Sequence, residues 1–327
     1  MKLQEISGFI FYILIITATA ISVWRSLSYP TDRTCSRDGD QDLYGLGVRL
    51  GIYIQLLTTT IVDDASPERA TNLAPTNLWF LVAIFMAVQL KGLLSRSCNL
   101  TEAYIIISLG NGITFTILTG TLRLNPEGLR ESNLTAMCRF LAWGIWKTTN
   151  LRFWWLALDE SASCICPEVG WLFARVLLNG WFRTFHKVVS TAECVAWLVL
   201  FLPYAIGVLL VVRCVLGFHD IPKPKTQILL DLPFISVGEM HGIIFGRNNV
   251  GFLLLSRAVH RLGLEGFPFL PLINIYALFL TISTVEISIR INGIQGVSKI
   301  DSSGQLIALI IGLGSLTSAL MQILFHK

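Results

Sequence analysis

Gly304-Gln-Leu-Ile-Ala-Leu-Ile-Ile-Gly-Leu-Gly-Ser-Leu-Thr-Ser-Ala-Leu-Met-Gln-Ile-Leu-Phe325 contains no Asp, Glu, Lys or Arg. A helix of that length rises about 33 Å, enough to cross a hydrocarbon core about 30 Å thick. Inside lipid every backbone N–H and C=O must find an internal partner, and a helix provides one for nearly all of them. Six further stretches meet or nearly meet this length and are mostly apolar: Ser7–Trp24, Tyr44–Val62, Thr76–Leu94, Thr101–Gly120, Thr191–Phe218 and Phe267–Ile289. An eighth, Leu134–Leu158, is apolar overall but carries Arg139, Lys147, Asn150 and Arg152. If it crosses, it must face protein or a water-filled cavity. The predicted fold class is all-α, a polytopic transmembrane helical bundle of about eight spans, with residues 1–327 forming one integral membrane domain and both termini on one side. Ser7–Trp24 follows Lys2 as a signal peptide would, but its apolar run is longer than an ordinary signal core, so a retained span is expected.

Composition agrees. Of 327 residues, 53% are hydrophobic and 14% charged, against roughly 25% charged in soluble proteins, and the mean hydropathy is +0.64. These values exclude a soluble enzyme. Aromatic residues at 11% and the absence of a low-complexity tract or sustained heptad exclude disorder and coiled coil. The net charge of +4 is scattered, with no basic stripe to contact nucleic acid; the expected macromolecular surroundings are the lipid bilayer. Seven cysteines show no CxxC pair. Most read as small buried apolar residues, and Cys164-Ile-Cys166 as loop cysteines or a redox pair.

Two connections stand out. Gly170–Val188 mixes aromatic and basic residues in a pattern that predicts an interfacial helix. Arg175, Arg183 and Lys187 would point to headgroups, and Trp171, Phe173, Trp181 and Phe185 to the acyl boundary. Residues 220–265 form a long polar loop opened by Ile221-Pro-Lys-Pro-Lys225, where two prolines block a continued helix. Arg25, Arg33 and Arg37 in the first loop, against Arg69 in the second, favour a cytosolic first loop.

No phosphate loop, HExxH, GxSxG or Rossmann fingerprint occurs, and neither a cofactor nor a metal is expected. Asp63, Asp64 and Glu68 do not complete a DDxxD motif and read as an acidic turn. Polar residues within spans cost about 2.5–3.5 kcal/mol when charged and central, so Arg49, Gln55, Gln89, Asn111, Glu286 and Gln305 each require a partner or a role. Asn99 with Glu102, and Ser190 with Glu193, have the spacing of N-caps at helix starts. Glu286 lacks that explanation. It either pairs with Arg290 one turn on or serves as an acid, since burial penalises the charged carboxylate and keeps a proton available. Arg49, between Gly47 and Gly51, reads as a counter-charge at a close helix contact. Trp143, Trp146, Trp154 and Trp155 cluster on one segment, as a belt at the membrane surface or as rings able to stabilise a carbocation.

Three stretches resemble a large fungal family of multi-pass membrane proteins. They are Asp42-Leu-Tyr-Gly-Leu-Gly-Val-Arg-Leu-Gly-Ile-Tyr-Ile-Gln55, Gly180-Trp-Phe-Arg-Thr-Phe-His-Lys-Val188, and the tail from Glu286 through Asn292 to Ser303-Gly-Gln-Leu306. The family pattern has a tryptophan before the asparagine and a proline after Gln-Leu-Ile, where this chain has Ile291 and Ala308. Such proteins are similar to the membrane-bound terpene cyclases of fungal meroterpenoid pathways, the ascofuranone-cyclase type. The resemblance implies metal-independent, acid-initiated cyclisation of a hydrophobic prenylated small molecule, an aromatic bearing a farnesyl chain that is often epoxidised first, in the endoplasmic reticulum or another endomembrane. On this reading Glu286 and Arg49 are the catalytic candidates, and Gln55, Trp143, Trp146, Asn292 and Gln305 the substrate-binding ones. Two alternatives stay open: an ion channel, transporter or sensor with Arg49 and Glu286 lining a path or gate, and a structural membrane protein. Oligomeric state is not specified by the sequence.

Overall fold

The computed structural model describes residues 37–65, 67–90, 100–123, 133–158, 169–215 and 270–325. In chain order the elements are β1 (Arg37–Asp38), α1 (Gln41–Tyr44), α2 (Leu46–Ala65), α3 (Pro67–Leu90), α4 (Leu100–Arg123) and α5 (Asn133–Arg152), which continues into a π-helical turn, Phe153–Ala157. There follow β2 (Val169–Trp171), β3 (Arg175–Leu177), α6 (Trp181–Val215), α7 (Leu270–Ile291), β4 (Ile294–Gln295) and α8 (Ser303–Phe325). Asp40 caps α1 by accepting from the Asp42 amide at 3.0 Å. Proline opens α3, where no amide hydrogen is needed. After α7 the chain reverses through Gly293 and Gly296, both at positive φ (60° and 82°) that a side chain would resist. That reversal lets β4 pair in parallel with β1, Arg37 opposite Ile294.

Side-chain contacts fix the directions of the helices. Tyr44 reaches Glu102 and Arg49 reaches Glu286, while a methyl group on Gly112 would touch both Leu56 and Thr281. Thus α2 and α4 run parallel, with α7 antiparallel between them. Trp146 contacts Asn111 and Trp154 contacts Tyr104, so α5 is antiparallel to α4. The Lys147–Glu193 and Phe140–Trp197 contacts make α6 antiparallel to α5. One end of the bundle therefore gathers the starts of α2, α4, α6 and α8, the ends of α5 and α7, and both two-stranded sheets.

Among the described residues, four helices are long and apolar enough to cross a membrane: Gln41–Val62, Leu100–Ile117, Asn274–Ile291 and Ser303–Leu324. This agrees with an all-α fold and is compatible with an integral membrane protein. Their burial grades from the centre outward, 78% of the Leu100–Ile117 stretch lying inside against 11% of Ser303–Leu324. The outermost helix, α8, lies along α2 on a seam of small residues. A Cβ on Gly51 would run into the Ala308 carbonyl, and one on Gly312 would come within 2.6 Å of the Gly51 carbonyl. Backbones in such contact attract by close packing, which is what holds helices together where the solvent is as apolar as their side chains.

The described residues supply four of the eight expected spans. Ser7–Trp24 and residues 220–265 lie outside them, as do the side chains of Asp63, Asp64 and Glu68, and Cys164, Cys166 and Asn99. The stretch Thr76–Leu94 falls on α3, whose apolar part is the shorter Pro75–Gln89. Leu134–Leu158 is helical, and Arg139, Lys147 and Asn150 are all buried against protein, as their charge and polarity require. Two expectations are corrected. Gly170–Val188 is not one helix: it is an antiparallel hairpin pairing Val169 with Leu177, followed by the first turns of α6. Trp171 is accordingly buried at 0% exposure and faces the core. Ser190 and Glu193 are not a cap, since α6 starts nine residues before Ser190; the Ser190 hydroxyl donates back to the Lys187 carbonyl, and Glu193 pairs with Lys147.

Candidate functional site

Arg49 and Glu286, 237 positions apart, meet directly. Arg49 Nη1 donates to Glu286 Oε2 at 2.5 Å and Nη2 to the Val297 carbonyl at 3.0 Å, while the Tyr53 hydroxyl donates to Glu286 Oε1 at 2.9 Å. The sequence dictates half of this arrangement. Arg49 and Tyr53 are four apart on α2 and so lie on one face one turn from each other, and the reversal at Gly293 brings the Val297 carbonyl back over the end of α2. Arg49 is 2% exposed and its Nε has no partner among the described residues. The Glu286 side chain is 41% exposed, so one flank of the carboxylate is open. Arg290, expected as the local partner of Glu286, is exposed and stands outside the pair. Tyr53, which sequence reasoning passed over, was signalled by its spacing from Arg49.

The remaining candidates do not converge on this pair. Gln305, fully buried, accepts from the Gly47 amide through Oε1 at 3.2 Å, filling one of the donors left open at the start of α2. Gln55 lies six residues further along α2, where its amide donates to Asn77 Oδ1 at 2.9 Å and Asn77 in turn donates to Thr59, tying α2 to α3. Asn292 works as a clamp: Oδ1 accepts from the Val169 amide at 3.2 Å, and Nδ2 donates to the Val169 and Ser288 carbonyls at 2.6 and 2.8 Å. It thereby completes the outer edge of β2 as a neighbouring strand would. Trp143 and Trp146 sit on α5. Trp146 packs flat against Gly110, where any side chain would collide with the indole, and donates to Asn111 Oδ1 at 3.0 Å. Trp143 is buried, and its indole N–H has no partner among the described residues.

From Asn111 a buried ladder leads towards the hairpin. Asn150 donates to the same Asn111 oxygen at 3.4 Å, and Trp154 Nε1 donates to Asn150 Oδ1 at 2.8 Å. The Trp154 ring stacks on His186, centroids 4.2 Å apart and planes 8° from parallel, with Phe182 edge-on to both. His186 precedes the apolar run from Thr191, and burial among these rings pushes its imidazole down to about 4. A second ion pair, Lys147 Nζ to Glu193 Oε1 at 2.9 Å, joins α5 to α6.

Arg49, Tyr53 and Glu286 can orient a proton-handling carboxyl group and offer its open flank to a molecule at the bundle's edge. Among the described residues no three His, Cys, Asp or Glu side chains come together. Comparison of the chain with protein-family models, curated proteins and solved structures finds no match.

Proposed function

We propose that the chain is a membrane-bound terpene cyclase of an endomembrane, acting on a hydrophobic prenylated aromatic by acid initiation, with Glu286 as the proton donor. The observation that carries the proposal is the combination of anchoring and access at Glu286: two donors from α2 fix the carboxyl group, while 41% of the side chain stays exposed. In the initiating step the protonated carboxyl gives its proton to an epoxide oxygen, whose C–O bond breaks, or to an olefin, whose π-bond becomes a C–H bond. Either leaves a tertiary cation that the next double bond attacks. Loss of a proton at the end of the cascade regenerates the acid. Arg49 keeps the Val297 carbonyl as an acceptor while Glu286 is protonated, which offsets part of the cost of neutralising its partner.

The transport or gating reading has one observation in its favour: the pair itself, a cation 2% exposed neutralised by an acid on another helix, so that protonation would uncouple α2 from α7. Turnover of an epoxyfarnesyl aromatic, measured per folded molecule in detergent, separates the two. Glu286→Gln should abolish cyclisation and Arg49→Met, which keeps the acid, should retain part of it. Full turnover by Glu286→Gln rules out the cyclase role of this residue. Proton or ion flux in liposomes, without turnover, supports the second reading.

A further inference from the structure

The end of the bundle that carries Glu286 also presents a surface that the pair does not use. It is built from the π-helical turn, the β2–β3 hairpin and the first two turns of α6. Trp155, Phe173, Leu177, Trp181 and Phe185 stand 45–68% exposed there, an unusual concentration of large apolar groups. Four cations are interleaved with them: Arg152 and Arg175, both exposed, and Arg183 and Lys187. No carboxylate belongs to the described residues from 150 to 190; Asp159, Glu160 and Glu168 lie outside the described residues.

Two of the cations are locked into the surface. Arg183 donates from Nε to the Trp154 carbonyl at 3.2 Å and from Nη2 to the Trp155 carbonyl at 3.3 Å, both carbonyls of the π-helical turn. Lys187 Nζ lies 4.8 Å from the centre of the Trp155 ring, whose N–H donates to Thr191 Oγ1 at 3.2 Å. Trp155 is therefore fixed with positive charge beside it. Amphipathic rings at this level suit the boundary between acyl chains and headgroups, and interleaved cations suit phosphate.

We propose that this surface binds the headgroups of anionic phospholipids, with Arg152 and Arg175 as the recognising charges. The inference is independent of any catalytic role for Glu286. Juxtamembrane cations raise the association of anionic over zwitterionic lipid about fivefold each, and the effect falls with salt.

The full chain, reconstituted in phosphatidylcholine nanodiscs, tests this with spin-labelled phosphatidylserine and phosphatidylcholine. At low salt phosphatidylserine should associate at least fivefold more strongly, and 0.5 M NaCl should bring the two lipids close to parity. Arg152→Gln/Arg175→Gln, which removes no hydrogen bond to another described residue, should do the same at low salt, whereas Arg290→Gln, on α7 at the same end, should not. Equal association of the two lipids with the wild-type chain overturns the proposal, as does a preference that survives high salt or the double substitution. A loss of preference in Arg290→Gln as large as in the double variant also overturns it, since that would mark diffuse charge. The salt titration uses wild-type protein, so a preference that survives high salt overturns the proposal even if the double variant folds poorly.

Discussion

Removing Glu286 should cost more than removing Arg49, although the two form one pair. Unit charges about 4 Å apart attract by about 4 kcal/mol at an effective dielectric of about 20, and by about 1 kcal/mol in water. With one partner 2% and the other 41% exposed, the pair lies between those limits. The asymmetry comes from what is left behind. Glu286→Gln leaves a buried guanidinium whose only other acceptor among the described residues is the Val297 carbonyl and whose Nε finds none there. It also leaves the new amide one acceptor oxygen for two donors, Arg49 and Tyr53. Stranding a charge of this kind costs about 3 kcal/mol or more. Arg49→Met leaves a carboxylate that still accepts from Tyr53 and that water reaches from its open flank, a loss of about 1 kcal/mol. In the double variant no charge is stranded, so its cost should match that of Arg49→Met and the coupling energy should be about 2–3 kcal/mol. Unfolding in mixed detergent–SDS micelles, followed by tryptophan fluorescence, measures all three. Equal costs for the single variants, or a coupling below about 0.5 kcal/mol, would refute the pairing and the burial difference on which the numbers rest.

Gly51→Leu should force α2 and α8 apart, because its first carbon already meets the Ala308 carbonyl; a destabilisation of about 1–3 kcal/mol should appear with easier labelling of cysteines placed on the seam. Asn292→Ala removes two hydrogen bonds to Val169 and one to the Ser288 carbonyl and should loosen the hairpin by about 1–3 kcal/mol, read as faster amide exchange at residues 169–177 with α4 unaffected. The imidazole of His186, held at about 4 in the fold against about 6.5 unfolded, favours the folded state in its neutral form. Stability should be level above pH 6.5 and fall as the pH drops from there towards 4, with the slope reduced in His186→Phe. An unchanged slope in that variant would mean that another group sets the acid limit.

The four long apolar helices were legible because bilayer thickness imposes a length that any window along the chain can measure. The pairing of Arg49 with Glu286 was not, even though both residues stood out. Spacing along one helix exposes neighbours such as Arg290, whereas the true partner depends on how α2 and α7 are set side by side. The glycines flanking Arg49 did announce a close contact, and Gly51 against Ala308 is that contact. At Gly170–Val188 the sequence carried two signals. The helical one begins at Trp181, just after the turn-forming Asn179-Gly180. Before it, Trp171 and Phe173 are two apart, the strand period, and aromatics at both spacings blurred the boundary. Ser190 and Glu193 show the limit of a cap pattern: the same spacing occurs within any helix, and only the earlier start at Trp181 tells the two apart.

The seam between α2 and α8 bears on the order in which the molecule is assembled. With most of its surface uncovered by the other described elements, α8 gains little from hiding apolar groups, and it is the last described element to emerge during synthesis. What retains it is shape: a groove at Gly47 and Gly51 that must already exist when it arrives, and Gln305, which seals the Gly47 amide once it does. The groove belongs to α2, whose position is set by α4 and α7, so the outermost helix reports on whether the inner ones have settled. A chain with a misplaced interior would display α8 undocked, intact in secondary structure and recognisable by that detachment alone.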